Sequence, residues 1–248
     1  MPLPPPGPAR SAAGGADRRR ADVLVLGGGP AGTWAAIAAA AAGARVVLAD
    51  KGFCGTSGAT AAAGTAVWYV PPDPVQRQAA MRQRWGMGGW LADPAWMGRV
   101  LDRAWDGVNQ LADWGYPFPQ DEAGAPRRNS LQGPEYMRLM RQRALRAGVR
   151  ILDHSPALEL LLDEHGAVAG AAGVRRQRGD SWSVEAGAVV VATGGCAFLS
   201  RGLGCDVLTG DGYLLAAEAG AEFSGMEFSN AYAISPAFGT VTKTLFYD

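Results

Sequence analysis

Lysine, histidine and cysteine are all scarce in this chain. Among its 248 residues the only lysines are Lys51 and Lys243, the only histidines His154 and His165, and the only cysteines Cys54, Cys196 and Cys205. The basic charge is therefore almost all arginine, spread along the chain and balanced to a net charge of +0, which leaves no basic run for a nucleic acid. Three cysteines without metal-ligand spacing make neither a disulfide framework nor a metal site, and a reducing, cytoplasmic setting is expected. No apolar run approaches the roughly 20 residues that span a bilayer, so no transmembrane segment is expected.

What is present is an ordinary globular composition, 48% hydrophobic and 19% charged, enough for one or two domains. Residues 1–20, rich in Pro, Ala, Gly and Arg, read as a disordered tail. Arg18, Arg19 and Arg20 are not a twin-arginine export signal, because no separate apolar region or cleavage site follows them.

The organising stretch is Ala21 to Lys51. An apolar run, Val23 to Leu26, breaks at Gly27-Gly28-Gly29-Pro30-Ala31-Gly32; an alanine-rich helical segment follows, Gly43 ends it, and a second apolar run from Arg45 to Ala49 closes on Asp50. This is strand, glycine-rich turn, helix and strand, with Gly27, Gly29 and Gly32 at G-x-G-x-x-G spacing. The spacing suits a dinucleotide. Gly27 permits the tight exit from the strand, Gly29 lets the backbone approach a pyrophosphate, and Gly32 lets the helix lie on the sheet. The phosphates would meet free N–H groups and the positive end of the helix dipole. Asp50 stands where a carboxylate accepts hydrogen bonds from ribose hydroxyls, and it disfavours a 2′-phosphate. At this point NAD and FAD both remain open.

Further along, Gly52 to Gly64 holds small residues, with the hydroxyls of Thr56, Ser57 and Thr60 among them. Helices are expected after Pro74, from Pro94 with Asp93 as N-cap to a stop at Gly115, and from Pro134 to Ala147. Met97, Val100, Leu101, Ala104, Trp105, Val108 and Leu111 recur at helical spacing and read as a core face. The arginines of the third helix, Arg138, Arg141, Arg143 and Arg146, read as a solvated face. Pro117 to Ser130 reads as a polar loop. Strands are expected at Val149 to Leu152, Ala157 to Leu162 and Ala167 to Arg176, with Trp182 to Glu185 as an added meander strand. His165 falls in a turn and reads as exposed, and Cys54 as a small buried filler. A separate β-branched run, Ala188 to Gly195, brings backbone N–H groups to the sheet's carboxyl edge, where ligands bind in open α/β sheets. Thr209-Gly210-Asp211-Gly212 then leads into a short helix ended by Gly220.

Together these motifs, GGGPAG at 27–32, Asp50-Lys51, TSGATAAAG, ATGG at 192–195, TGDG at 209–212 and the AGAEFSGMEF that follows, resemble the flavoprotein subunits of succinate dehydrogenase and fumarate reductase, the superfamily of L-aspartate oxidase and adenylylsulfate reductase. The resemblance runs from about residue 21 to the end. It implies an α/β fold: a Rossmann-like FAD-binding domain over 21–248 with a parallel central sheet, an inserted β meander and a helical insertion, the family's capping domain and C-terminal segment being absent. It implies FAD rather than NAD. By position, Gly27, Gly29 and Gly32 would hold the pyrophosphate, Asp50 the ribose, and Ser57, Ala59, Gly64 and Thr65 the flavin side, with Pro30, Ala31, Lys51 and Thr56 also among the cofactor-binding residues. Ala157 would meet the adenine through its backbone, with Ala192, Thr193 and Gly194 close by and Asp211 against a cofactor hydroxyl.

Two positions depart from the family pattern. Ser57 is followed by Gly58 where the respiratory enzymes carry a flavin-linked histidine, so the FAD is expected to be noncovalent. Tyr232 stands in place of a substrate-facing histidine, which puts succinate and fumarate in doubt. The expected activity is hydride transfer between a small carboxylic substrate and flavin N5, with an electron-transfer partner subunit left open. The alternative is a nonenzymatic FAD-binding fragment. No catalytic residue is assigned.

Overall fold

The computed structural model describes residues 17–200 and 202–226. Its first element, β1 (Asp17–Leu26), runs through three arginines before reaching the apolar run. A glycine turn leads into α1 (Pro30–Ala41) and then β2 (Val46–Ala49), whose four residues are all buried, as in a parallel strand covered on both faces. The small-residue stretch folds into a single turn, α2 (Ala59–Ala62), and a short strand, β3 (Gly64–Ala66). The helices α3 (Pro74–Met87) and α4 (Pro94–Asp113) both start on an aspartate cap followed by proline, Asp73 accepting from the Gln76 N–H and Asp93 from those of Ala95 and Trp96. After them come β4 (Ser130–Gln132), α5 (Gly133–Arg146), β5 (Arg150–Leu152), β6 (Ala157–Leu162), β7 (Val168–Val174), β8 (Ser181–Val191) and α6 (Asp211–Glu218).

Six strands form one sheet in the order β5-β2-β1-β8-β7-β6; β3 and β4 make a separate antiparallel pair. The β5-β2-β1-β8 half is parallel and the β8-β7-β6 half antiparallel. The strand β8 belongs to both halves. Its first part, where Trp182, Val184 and Ala186 alternate inward, pairs with β7, and its full length pairs in parallel with β1, from Asp17 against Trp182 to Leu26 against Val191. The meander is therefore continuous with the parallel half of the sheet.

Two sequence boundaries change accordingly. Trp182–Glu185 and Ala188 onward are one strand rather than two: the alternate burial of Trp182, Val184 and Ala186 stops at Gly187, where the strand has left β7 and pairs with β1 alone, which reads as a break in sequence but is a change of neighbours in space. Asp17 to Arg20 belong to β1 and not to the expected tail, because the β8 ladder holds them and Arg19 and Arg175 both engage Asp17. Residues 1–16 lie outside the described set, as does Tyr232.

Three packed clusters result. One lies along one face of this continuous sheet, around Leu24, Leu26, Trp182 and Val184. A second lies under α1 and α5, with Val25, Leu48 and Cys54. The third joins the helical insertion to α1 through Leu111, Leu131, Tyr136 and Met140, where Trp34 stacks on Trp114 at 5.2 Å and donates to the Tyr136 hydroxyl at 2.7 Å. On α4, Met97, Leu101, Val108 and Leu111 are buried as the spacing predicts, but Val100 is exposed. The expected loop before α5 ends in β4, whose Gln132 N–H donates to the Tyr116 hydroxyl.

The third helix corrects the reading of its arginines. Arg141 grips Asp153 with both nitrogens at 2.8 and 2.7 Å, donates to the Cys54 carbonyl and lies 3.9 Å from the Phe53 ring centre. Arg143 stacks on Trp114 and donates to its carbonyl. Two of the four thus fasten α5 to neighbouring loops, while Arg138 pairs with Glu135 at the surface.

Candidate functional site

At the carboxyl ends of β1, β2 and β8 the three chains leave the sheet in contact. The ladder continues one residue beyond the strands: the Gly27 N–H reaches the Ala49 carbonyl at 2.8 Å and the Ala192 N–H the Leu26 carbonyl at 2.8 Å. Gly27 has φ +107°, and a Cβ there would stand 2.3 Å from the Ala192 carbonyl oxygen. A Cβ on Gly32 would stand 1.9 Å from the Gly27 carbonyl oxygen, so its role is to seat α1 against the strand exit. Gly29 differs from both, since nothing lies within 4 Å of the corresponding position. As N-cap of α1 it offers no side chain, and with proline next in line the free N–H groups of that first turn are those of Ala31 and Gly32.

A cleft of about 490 Å³ opens above these ends. Of the residues expected to touch a cofactor, Gly27, Gly29, Pro30, Ala31, Asp50, Lys51, Ser57, Ala59, Ala157, Ala192, Thr193, Gly194 and Asp211 line it. Four do not. Gly32 sits beneath the floor, Thr56 is turned toward the Phe53 carbonyl, and Gly64 and Thr65 lie in β3 against Gln132 and Leu131. Thr60, whose hydroxyl the small-residue stretch offered, lines the cleft as well; Met137, Pro156, Arg176 and Leu208 also line it, and no sequence signal assigned these four to it. Met137 and Arg176 carry no motif of their own, and only the chain's path past the β6-β7 base brings Arg176 there.

Asp50 is 5% exposed and organises the cleft wall. It accepts from the Gly28 N–H at 2.6 Å, the Gly52 N–H at 2.7 Å and the Ser57 hydroxyl at 2.7 Å. A carboxylate has about four acceptor sites, so one remains for a ligand hydroxyl. Opposite, the Lys51 ammonium donates to Thr209 Oγ1 at 2.7 Å and Asp211 Oδ2 at 2.8 Å, which ties the TGDG turn to the end of β2. Burial pushes the Asp211 carboxyl up, but the bonds from Lys51 and Thr209 outweigh it and leave the group below its usual range. Behind the wall, Cys54 is fully buried; burial first, then Asp50, raises its thiol to about 12. It is the packed filler expected of it.

The cleft fits a dinucleotide. It combines an open approach at Gly29, unspent helix N–H groups, a buried carboxylate with a spare acceptor site, and a wall that is mostly apolar.

Comparison with known proteins defines the class. A family model described as an FAD binding domain matches residues 22–234, and the chain belongs to this family of FAD-binding oxidoreductases, the one that includes the flavoproteins of fumarate reductase and succinate dehydrogenase and L-aspartate oxidase. The chain is 26% identical over 228 residues to a fumarate reductase (CoM/CoB) subunit from Methanothermobacter marburgensis, covering 83% of this chain and 41% of the relative. It is 31% identical over 237 residues to L-aspartate oxidase of Halobacterium salinarum, covering 86% and 45%. Its backbone matches that of FrdA of E. coli quinol fumarate reductase with a TM-score of 0.72 at 26% identity, covering 81% of this chain and 37% of that one. The chain thus spans less than half the length of these relatives.

Of the described residues, no helix is long and apolar enough to cross a membrane.

Proposed function

We propose that the protein is a flavoprotein oxidoreductase that holds FAD noncovalently in the cleft above β1, β2 and β8 and acts on a small carboxylic substrate. The observation that carries the reading is the pairing of the open position at Gly29 with the buried carboxylate of Asp50, which keeps one acceptor site free, on the same wall. Ala31 and Gly32 N–H groups would take the pyrophosphate, and Asp50 an adenosine ribose hydroxyl. The backbone near Ala157 would take the adenine, and Ser57 and Ala59 would flank the flavin. When bound, FAD supplies a hydride acceptor or donor at N5.

Noncovalent binding is supported by the lining itself. Among the described residues the cleft wall holds no histidine, cysteine or tyrosine, and Gly58 stands beside Ser57 with open space around it. His165 is in an exposed turn and His154 faces away from this wall, lining another cleft. The names of the relatives, as subunits, support an electron-transfer partner for the parent activity.

A second reading, an FAD-binding module without turnover of its own, is favoured by the ionisable groups that line the cleft. These are Asp50, Lys51, Arg176 and Asp211, and all but Arg176 are already committed to hydrogen bonds within the wall. Anaerobic addition of succinate or L-aspartate to the FAD-loaded protein, or of fumarate to its reduced form, separates the readings. Bleaching or recovery of flavin absorbance supports the oxidoreductase; bound flavin inert to all three supports the module.

A further inference from the structure

A second cleft, of about 430 Å³, lies beyond the adenine end of the first, and the two linings share no residue. The backbone bond from the Arg176 N–H to the His154 carbonyl, 2.8 Å, stands between them. Its wall is built from β5 and the turn after it, the turn between β7 and β8 and the start of β1, segments far apart in sequence that the meander brings together.

The wall is strongly basic. Arg19, Arg150, Arg175 and Arg178 line it, with Asp153 as the acid among the lining residues, and that carboxylate is already gripped by Arg141 from outside. Arg19 and Arg175 share Asp17, and Arg175 also holds Asp180. The side chains of Arg150 and Arg178 hold no hydrogen bond or ion pair among the described residues, although their charges help to lower the carboxyls of Asp17 and Asp180 respectively, and both residues are exposed. Arg19 Nη1 is buried with no partner, although buried donors are nearly always satisfied. So the cleft has positive charge in excess of its carboxylates and a desolvated guanidinium donor left over.

We propose that this cleft is a second ligand site, for a small molecule bearing two or more oxyanion groups, phosphate or carboxylate. Its volume is that of a small-molecule site. Guanidinium forks give bidentate contacts to both kinds of oxyanion, and two unpaired forks select for more than one such group. Arg150 and Arg178 grasp the ligand from the rim, while Arg175 and Arg19, held in place by Asp17 and Asp180, form the floor. The proposal stands apart from the assignment of FAD to the first cleft.

The test is calorimetric titration of inorganic pyrophosphate, and separately of citrate, into the whole chain with FAD present. Three proteins are compared: wild type, the double charge reversal Arg150→Glu/Arg178→Glu, and Lys51→Met, which alters the first cleft. Both reversed arginines are exposed, so an unchanged melting curve checks that the variant folds. The expected result is saturable binding of at least one probe, weakened tenfold or more by the double reversal and unchanged by Lys51→Met. Binding that survives the double reversal but falls with Lys51→Met places the anion in the dinucleotide cleft and overturns the proposal. Absence of saturable binding for both probes also overturns it.

Discussion

Lys51 Nζ lies 2.8 Å from Asp211 Oδ2, joining residues 160 positions apart across the mouth of the dinucleotide cleft. With Thr209 as a shared partner, this pair fixes the TGDG turn relative to the loop after β2. The Asp211 side chain is 42% exposed, so solvent screens the pair and its contribution to stability is about 0.2–1 kcal/mol. Its folded carboxyl lies below the unfolded value of 3.8, so that contribution is present above pH 3.8 and lost as pH falls through the folded value. Lys51→Met should therefore lower the melting temperature slightly at pH 7, and the gap from wild type should close below pH 3.8. A gap that persists in acid contradicts this.

The three motif glycines make separable predictions. Gly29 has φ −73° and ψ −174°, which alanine adopts freely, and its methyl would enter open cleft space. Gly29→Ala should leave stability unchanged or raised by about 0.4–1 kcal/mol, as replacing glycine at a compatible position does, while FAD affinity falls tenfold or more. Gly32→Ala should instead destabilise the fold by about 1–3 kcal/mol or more, because its methyl meets the Gly27 carbonyl. Thermal melts and flavin titrations of the two variants check the contrast; equal effects on stability would refute the division of roles.

Asp50 supports the fold as well as the proposed ribose contact. Asp50→Ala leaves the Gly28 and Gly52 N–H groups and the Ser57 hydroxyl without their acceptor. Each unmet buried donor costs about 1–3 kcal/mol. Urea unfolding should show a clear loss of stability without ligand, in addition to weaker FAD binding. A variant that binds poorly but unfolds like wild type would mean that the three internal bonds contribute nothing.

The cysteines should differ in reactivity. Cys196 is exposed, Cys205 and Cys54 are buried, and the Cys54 thiol is raised to about 12. At pH 8 a thiol reagent should label Cys196 rapidly and the other two only on unfolding, because the thiolate is the nucleophile. The raised value also means that Cys54 favours the folded state less as pH rises past 9.0, where the unfolded thiol ionises. Rapid labelling of Cys54 in the native protein would contradict its place behind the cleft wall.

The nucleotide-binding unit was legible because local sequence and tertiary role coincide there. The strand, turn, helix and strand from Val23 to Ala49 each carry their own signal, and the structure moves the limits of the helix and the second strand by a residue or so, while β1 starts six residues earlier, at Asp17, where only the β8 ladder holds it. The limits of β8 and the roles of Arg141 and Arg143 were not legible, because these depend on what lies opposite. Gly187 marks a change of neighbour within one strand, and an arginine on a polar helix face reads as solvated until Asp153 or Trp114 is placed against it. The same holds for the second cleft: Arg19, Arg150 and Arg178 have no common motif, and only the meander brings them together.

The central claim is a noncovalent FAD site in the cleft above β1, β2 and β8. The most direct test is the visible absorption spectrum of the chain mixed with FAD and desalted, repeated on the supernatant after acid precipitation, with Gly29→Ala in parallel. Flavin should be retained by wild type, released in full by acid, and largely lost from Gly29→Ala despite an unchanged melting curve. Flavin that never stays with the folded wild-type chain, or that stays in the acid pellet, would contradict the claim.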